Sequence, residues 1–184
     1  MIIVLASLIL GCNGRVPESA SSTYLNSESE LDMPLNPLDS LALVLENLTL
    51  NRNSKAIRIS DYDTVNLYEL DLGYKQILYI SEIQCSSCID QELELAKRYY
   101  GLTDLVLLCN YGSLRDLKLY LHLRQVEFSA FMVDNEMSGL FARLTNPTYF
   151  KLNNGFKPSS VFFASISTPK RSESYHQIMS GFTF

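Results

Sequence analysis

From residue 76 onward the chain switches between two hydrophobic rhythms. "QILYIS" (76–81), "DLVLLC" (104–109) and "EFSAFMV" (127–133) are short, nearly continuous apolar runs. That is the pattern of strands buried on both faces. Between them, "SSCIDQELELAKRYY" (86–100) places Ile89, Leu93, Ala96 and Tyr100 at helical spacing, and Gly101 stops it. "SLRDLKLYLHLRQ" (113–125) does the same with Leu114, Leu117 and Leu121, and Ser113 and Asp116 are placed as a capping box. Strand, helix, strand, helix, strand predicts crossover units and a parallel sheet covered on both faces.

The flanks follow different rules. "KAIRIS" (55–60) and "TVNLYEL" (64–70) read as short strands, with Asp61 and Asp63 in the turn between them. "DSLALVLENLTL" (39–50) fits a short helix or a strand, and periodicity does not choose between them. "EMSGLFARL" (136–144) holds one or two helical turns. "PTYFKL" (147–152) and "SSVFFA" (159–164) are strands joined across Asn154-Gly155, a strong hairpin signal, so they run antiparallel. "SESYHQIMSGF" (172–182) predicts a closing helix. The expected fold is α/β: a mixed sheet, parallel strands first and a C-terminal β-hairpin last, flanked by helices.

The N-terminus has another character. "MIIVLASLILGCNG" is apolar up to Gly11-Cys12. The run is well under the roughly 20 residues needed to span a bilayer and has the length of a signal-peptide core. "LILGC" resembles a bacterial lipobox, which implies cleavage before Cys12 and a diacylglycerol on its thiol. The stretch that follows is rich in Ser, Asn, Glu and Pro and poor in aliphatics. Such a segment cannot bury enough surface to offset its ordering entropy. The expected organisation is a lipoprotein signal peptide over 1–11, a lipid anchor and tether over 12–38, and one domain over 39–184. The expected location is the bacterial cell envelope, on a lipid anchor, facing the periplasm or the cell surface.

Composition narrows the function classes. Hydrophobic residues make up 47% and charged residues 19%, as in a chain with a packed core. The net charge is −5 and no Lys/Arg block stands out. That argues against nucleic acid as a partner.

The candidate chemistry is Cys85-Ser86-Ser87-Cys88. Cys85 falls where a strand hands over to a helix. The first backbone N–H groups of a helix lack partners, and the macrodipole is positive there. A thiolate at that place is stabilised and becomes a better nucleophile. Cys88 lies within the first turn, close enough to attack a mixed disulfide on Cys85. The expected order is therefore attack by Cys85 and resolution by Cys88.

Strand, CxxC-opened helix and late hairpin together resemble the thioredoxin-like fold, and most nearly the membrane-anchored thiol–disulfide oxidoreductases of the TlpA/ResA kind. The likeness spans about residues 62–182. "DTVNLYELDLGYKQILYISEIQCSSC" parallels the family's approach to its dithiol, and "FSAFMVDNEMSGLFARLTNPTYFKLNNGF" its later strand, short helix and proline-opened hairpin. The resemblance implies that Pro147, with Asn146 ahead of it, is the family's cis-proline, which packs beside the dithiol and helps hold extended substrate backbone. It implies protein disulfides or dithiols as partners, and no cofactor. The chain departs from the family at three places. Gln84 stands where an aromatic residue is usual, Ser86-Ser87 where proline is common, and Gln91 where an acid commonly follows the second cysteine. Glu92, four after Cys88 on the same helix face, is expected to take the proton-shuttling role.

Other readings stay open. One is a thioredoxin-like binding or scaffolding lipoprotein with weak catalysis, since fold does not guarantee activity. Zinc asks for four Cys/His ligands, commonly as two close pairs, and the chain has one CxxC. A peroxiredoxin-type peroxidase needs a different cysteine context. Cys109, closing "LVLLC", reads as a small buried hydrophobe, with a third reactive thiol as the alternative. His122 and His176 are expected at surface or boundary positions.

Overall fold

The computed structural model describes residues 37–133, 139 and 141–181. The expected signal peptide, Cys12 and all but the last two residues of the tether lie outside the described residues, as do residues 136–138 and 140 of the helical turns expected over 136–144, of which Phe141–Arg143 form a single 3-10 turn.

Apolar alternation explains the central sheet. Among the described residues seven strands lie in the order β2-β1-β5-β4-β3-β6-β7. They are β1 (Lys55–Arg58), β2 (Thr64–Asn66), β3 (Gln76–Ser81), β4 (Leu105–Asn110), β5 (Ser129–Val133), β6 (Thr148–Leu152) and β7 (Pro158–Phe163). β3, β4 and β5 are parallel neighbours. β1 joins β5 antiparallel, and β6 joins β3 antiparallel. All six residues of β3 are buried. Ile77 and Tyr79 point into one apolar core and Leu78 and Ile80 into the other. β4 repeats this with Val106 and Leu108 against Leu105, Leu107 and Cys109. A strand buried on both faces needs such two-sided apolarity, and each large side chain so buried contributes about 1.5–3 kcal/mol.

Among the described residues four helices flank the sheet: α1 (Pro37–Glu46), α2 (Ser86–Tyr99), α3 (Leu114–Leu123) and α4 (Pro169–Ser180). The ambiguous stretch over 39–50 is thus helical in its first part. α2 and α3 lay Ile89, Leu93, Ala96, Leu117 and Leu121 on the same core. Two right-handed crossovers that step in one direction across a sheet put both helices on one face. The opposite core is filled by Leu45 of α1, Leu67 and Phe141. Ser113 caps α3, its side chain accepting the Asp116 N–H.

The late hairpin forms as expected but turns differently. Phe156, with φ 57°, takes the left-handed position in the turn. The Leu50 N–H donates to the Phe156 carbonyl, and the Arg52 guanidinium sits 5.0 Å over its ring while donating to the Asn154 carbonyl. These partners hold a conformation that a bulky residue seldom adopts. α4 begins at Pro169, three residues before the expected start, because proline suits the first helical turn. No helix among the described residues is long and apolar enough to cross a membrane.

Candidate active site

The site is assembled where β3 ends and α2 begins. Past Ser81 the chain is tied on two sides. The Glu82 N–H donates to the Asn110 carbonyl, and the Glu82 carboxylate accepts the Gly112 N–H at 3.0 Å. These bonds join the loop after β3 to the loop after β4. Cys85 follows as the N-cap of α2, exposed, and Cys88 lies buried in the first turn. Both are free thiols.

The environment separates the two sulfurs. Cys85 Sγ accepts the Cys88 N–H at 3.4 Å and lies 3.0 Å from Ser87 Oγ. The Cys88 thiol, then the Ser87 hydroxyl, then the Cys88 N–H favour the thiolate and bring the Cys85 pKa from 9.0 to about 7. Cys88 moves the other way, raised first by burial and then by the Cys85 thiol beside it. The backbone of Ile166, in the turn between β7 and α4, partly offsets that rise. An exposed thiolate beside a buried, protonated thiol is the asymmetry that sequential disulfide exchange needs.

Gln84, a departure from the family pattern in sequence, has a structural role that the sequence did not show. It is 6% exposed. Its Oε1 accepts the Ser81 N–H at 3.1 Å, and its Nε2 donates to the Leu144 carbonyl at 3.2 Å and the Asn146 carbonyl at 2.8 Å. The amide therefore ties the dithiol segment to the loop leading into β6. In this way the structure brings Asn146 to Gln84, the residue directly before Cys85. A polar residue between a buried strand and the CxxC was the signal available; its carbonyl partners, about 60 residues away, were not.

The Asn146–Pro147 loop is heavily bonded. The Asn146 carbonyl also accepts from Thr148 Oγ1 at 2.9 Å, and Asn146 Nδ2 donates to the Ala164 carbonyl at 2.8 Å. The Pro147 carbonyl accepts the Ala164 N–H at 2.9 Å. The cis bond expected before Pro147 is not present: no cis peptide occurs among the described residues. Trans is the lower-energy isomer of an isolated X–Pro bond.

Glu92 sits one turn beyond Cys88, 1% exposed, and its Oε2 lies 3.1 Å from His176 Nε2. The expectation of a surface or boundary His176 is overturned, because its side chain is fully buried. α4 docks on α2 and carries His176 into a ring of tyrosines; nothing in the local pattern around 176 marks this. His122 is exposed, as expected. Cys109 is fully buried on β4, and burial pushes its thiol far above the ordinary range. Among the described residues no group of three or more His, Cys, Asp or Glu is gathered to hold a metal.

No protein-family model matches the chain. No curated protein matches it either. Solved structures do. A candidate electron transfer protein from Aquifex aeolicus VF5 is similar with a TM-score of 0.53 at 8% identity, over 72% of this chain and 93% of that one. A cysteine-to-serine mutant of PrxQ from Xylella fastidiosa is similar at 0.50 and 12% identity, over 73% and 94%. A thiol:disulfide interchange protein of the thioredoxin family from Chlorobium tepidum TLS matches at 0.49 and 15% identity, over 72% and 97%. At such identities the likeness concerns architecture alone: the chain has a mixed α/β, thioredoxin-like fold.

Proposed function

We propose that the chain is an extracytoplasmic thiol–disulfide oxidoreductase that reduces or exchanges disulfides of envelope proteins through Cys85 and Cys88. The observation that carries this reading is the split between the two sulfurs: an exposed Cys85 with a pKa of about 7 and a buried Cys88 with a raised one. In the forward direction the Cys85 thiolate attacks a client disulfide. One client sulfur leaves, and the other remains bonded to Cys85. Cys88 then attacks Cys85, the second client sulfur departs, and the dithiol has become a disulfide. Glu92 takes the proton of Cys88, and the Asn146–Pro147 loop borders the client backbone. The chain is held at the membrane by lipid on Cys12.

The test is reduction of a protein disulfide by the full chain, with Cys85→Ser alongside. Turnover in the wild type and none in the variant is expected. No turnover over a broad range of applied potential would sink the reading. A Cys12→Ser chain that still partitions with membranes and still incorporates labelled fatty acid would sink the anchor.

A second reading has one observation in its favour. The Asn146 carbonyl already accepts from both Gln84 and Thr148, and its side chain is engaged by Ala164. A loop so occupied suits a thioredoxin-like binding or scaffolding lipoprotein with weak catalysis. The same assay separates the two.

A further inference from the structure

Among the described residues Glu92 is the only buried acid and His176 the only buried histidine, lysine or arginine. They face each other at 3.1 Å, and His176 Nδ1 lies 3.1 Å from the Tyr100 hydroxyl. The rest of the surroundings is aromatic. Tyr99 stacks on the imidazole at 5.7 Å, while Tyr149 of β6 and Tyr175 of α4 meet it edge-on at 4.7 and 5.6 Å. The buried phenols of Tyr100 and Tyr149 and the partly buried one of Tyr175 are all pushed above their ordinary range, first by desolvation. They carry no charge near neutral pH. The charged residues of α2 and α4 nearby, Arg98 and Glu173, are at the surface and face each other at 3.9 Å. Glu92 and His176 thus have no other charged group to answer to within the buried cluster.

Glu92 Oε1 accepts no hydrogen bond. A bracket that served only to dock α4 on α2 would gain by satisfying that atom, since an unpaired buried carboxyl oxygen is costly. Glu92 lies one turn, about 6 Å of rise, along the face of α2 that also buries Cys88. At the other end Tyr100 borders a surface cleft of about 510 Å³ that Thr103, Asp71 and Asp104 also line. The bonded groups Glu92, His176 and Tyr100 thus run from one turn beyond the buried thiol, where Glu92 Oε1 is unpaired, to the cleft at the far end of α2.

We propose that His176 is a positioning residue of the dithiol centre: with Tyr100 it holds the Glu92 carboxyl ready for the proton of Cys88 and relays that proton to the cleft behind α2. This rests on the reading of Cys85 and Cys88 as a working dithiol. In the resolving step the Cys88 Sγ bonds to Cys85 Sγ, the bond from Cys85 to the client sulfur breaks, and that sulfur leaves with the electron pair. The client disulfide is reduced and the protein dithiol oxidised. The single proton from Cys88 passes to Glu92. Glu92 hands a proton from Oε2 to His176 Nε2, and the imidazole gives its Nδ1 proton to the Tyr100 oxygen as the Tyr100 hydroxyl proton leaves to solvent in the cleft, so one proton enters the relay and one leaves it.

The experiment isolates resolution from any client. In the Cys12→Ser chain, Cys85 is converted to its mixed disulfide with thionitrobenzoate, and release of the second thionitrobenzoate by Cys88 is followed by stopped flow across pH. His176→Gln keeps a donor for Glu92 and an acceptor for Tyr100 but cannot relay a proton. It is expected to slow release about tenfold near neutral pH. Its rate should also approach a tenfold rise per pH unit, because solvent base must then deprotonate Cys88. Tyr100→Phe should steepen the profile in the same direction. A folded His176→Gln chain with the wild-type rate and slope overturns the proposal and leaves a structural bracket. If His176→Gln does not fold, Tyr100→Phe decides alone, and a wild-type slope there overturns the relay in either case. A wild type that resolves the mixed disulfide but reduces no protein disulfide defeats the proposed function while leaving the relay standing.

Discussion

Replacing Ser87 by alanine isolates one of four contacts that favour the Cys85 thiolate. The hydroxyl lies 3.0 Å from the sulfur and ranks second, between the Cys88 thiol and the Cys88 N–H, among the causes that take the pKa from 9.0 to about 7. Both residues are exposed, so the fold is not at stake. Loss of the second-ranked contact should return the pKa roughly halfway, to about 8. Near pH 7 the thiolate share then falls from about one half to about one tenth. A more basic thiolate is also the better nucleophile, by about threefold per unit of pKa. The alkylation rate near neutral pH should therefore drop only about twofold, while the midpoint of its pH profile rises by about one unit. The midpoint is the decisive quantity, measured with iodoacetamide on the reduced Cys12→Ser chain by following Cys85 alone. A Ser87→Ala midpoint that stays near the wild-type value would show that the hydroxyl does not stabilise the thiolate. A weaker thiolate also disfavours the reduced form, so equilibration against glutathione should show the variant's potential shifted toward the more reducing side.

Three further outcomes follow from the same contacts. Gln84→Leu strips partners from the buried Ser81 N–H and from the Leu144 and Asn146 carbonyls, and should cost about 2–4 kcal/mol in urea unfolding; an unchanged midpoint would mean the two loops are held elsewhere. Cys109, fully buried and with its thiol pushed up, should resist a thiol reagent until the chain is unfolded, as peptide mapping before and after denaturation will show. The Cys85 pKa lies below its ordinary value of 9.0, so the thiolate stabilises the reduced chain above that pH, and the contribution is lost as pH falls through about 7. The stability difference between reduced wild type and Cys85→Ser should widen from about pH 7 to 9; a flat difference would contradict the lowered pKa.

Sequence alone determined whatever depends on near neighbours along the chain. Helical spacing from Ile89 to Tyr100, the two-sided apolarity of β3 and β4, and the Ser113 cap each act within a few residues, and all are found. The placement of Cys85 at the start of α2 was legible for the same reason, and so was the thiolate's stabilisation, because its donors are Ser87 and Cys88. Tertiary structure decided the rest. That β3 lies between β4 and β6 depends on pairing across the sheet, which period-two alternation does not specify. That α2 and α3 share a face follows from the direction of both crossovers. Gln84 and Gln91 look alike as departures from a family pattern, yet Gln84 is a buried link between two loops because carbonyls 60 and 62 residues away come to meet it. His176 is the plainest case. Its helix has little apolar character of its own, and the histidine is buried because α4 docks against α2, where Glu92, Tyr99 and Tyr100, with Tyr149 from β6, close around it. Local periodicity shows which face of a helix is apolar; it does not show which polar side chain a distant carboxyl will draw into the core.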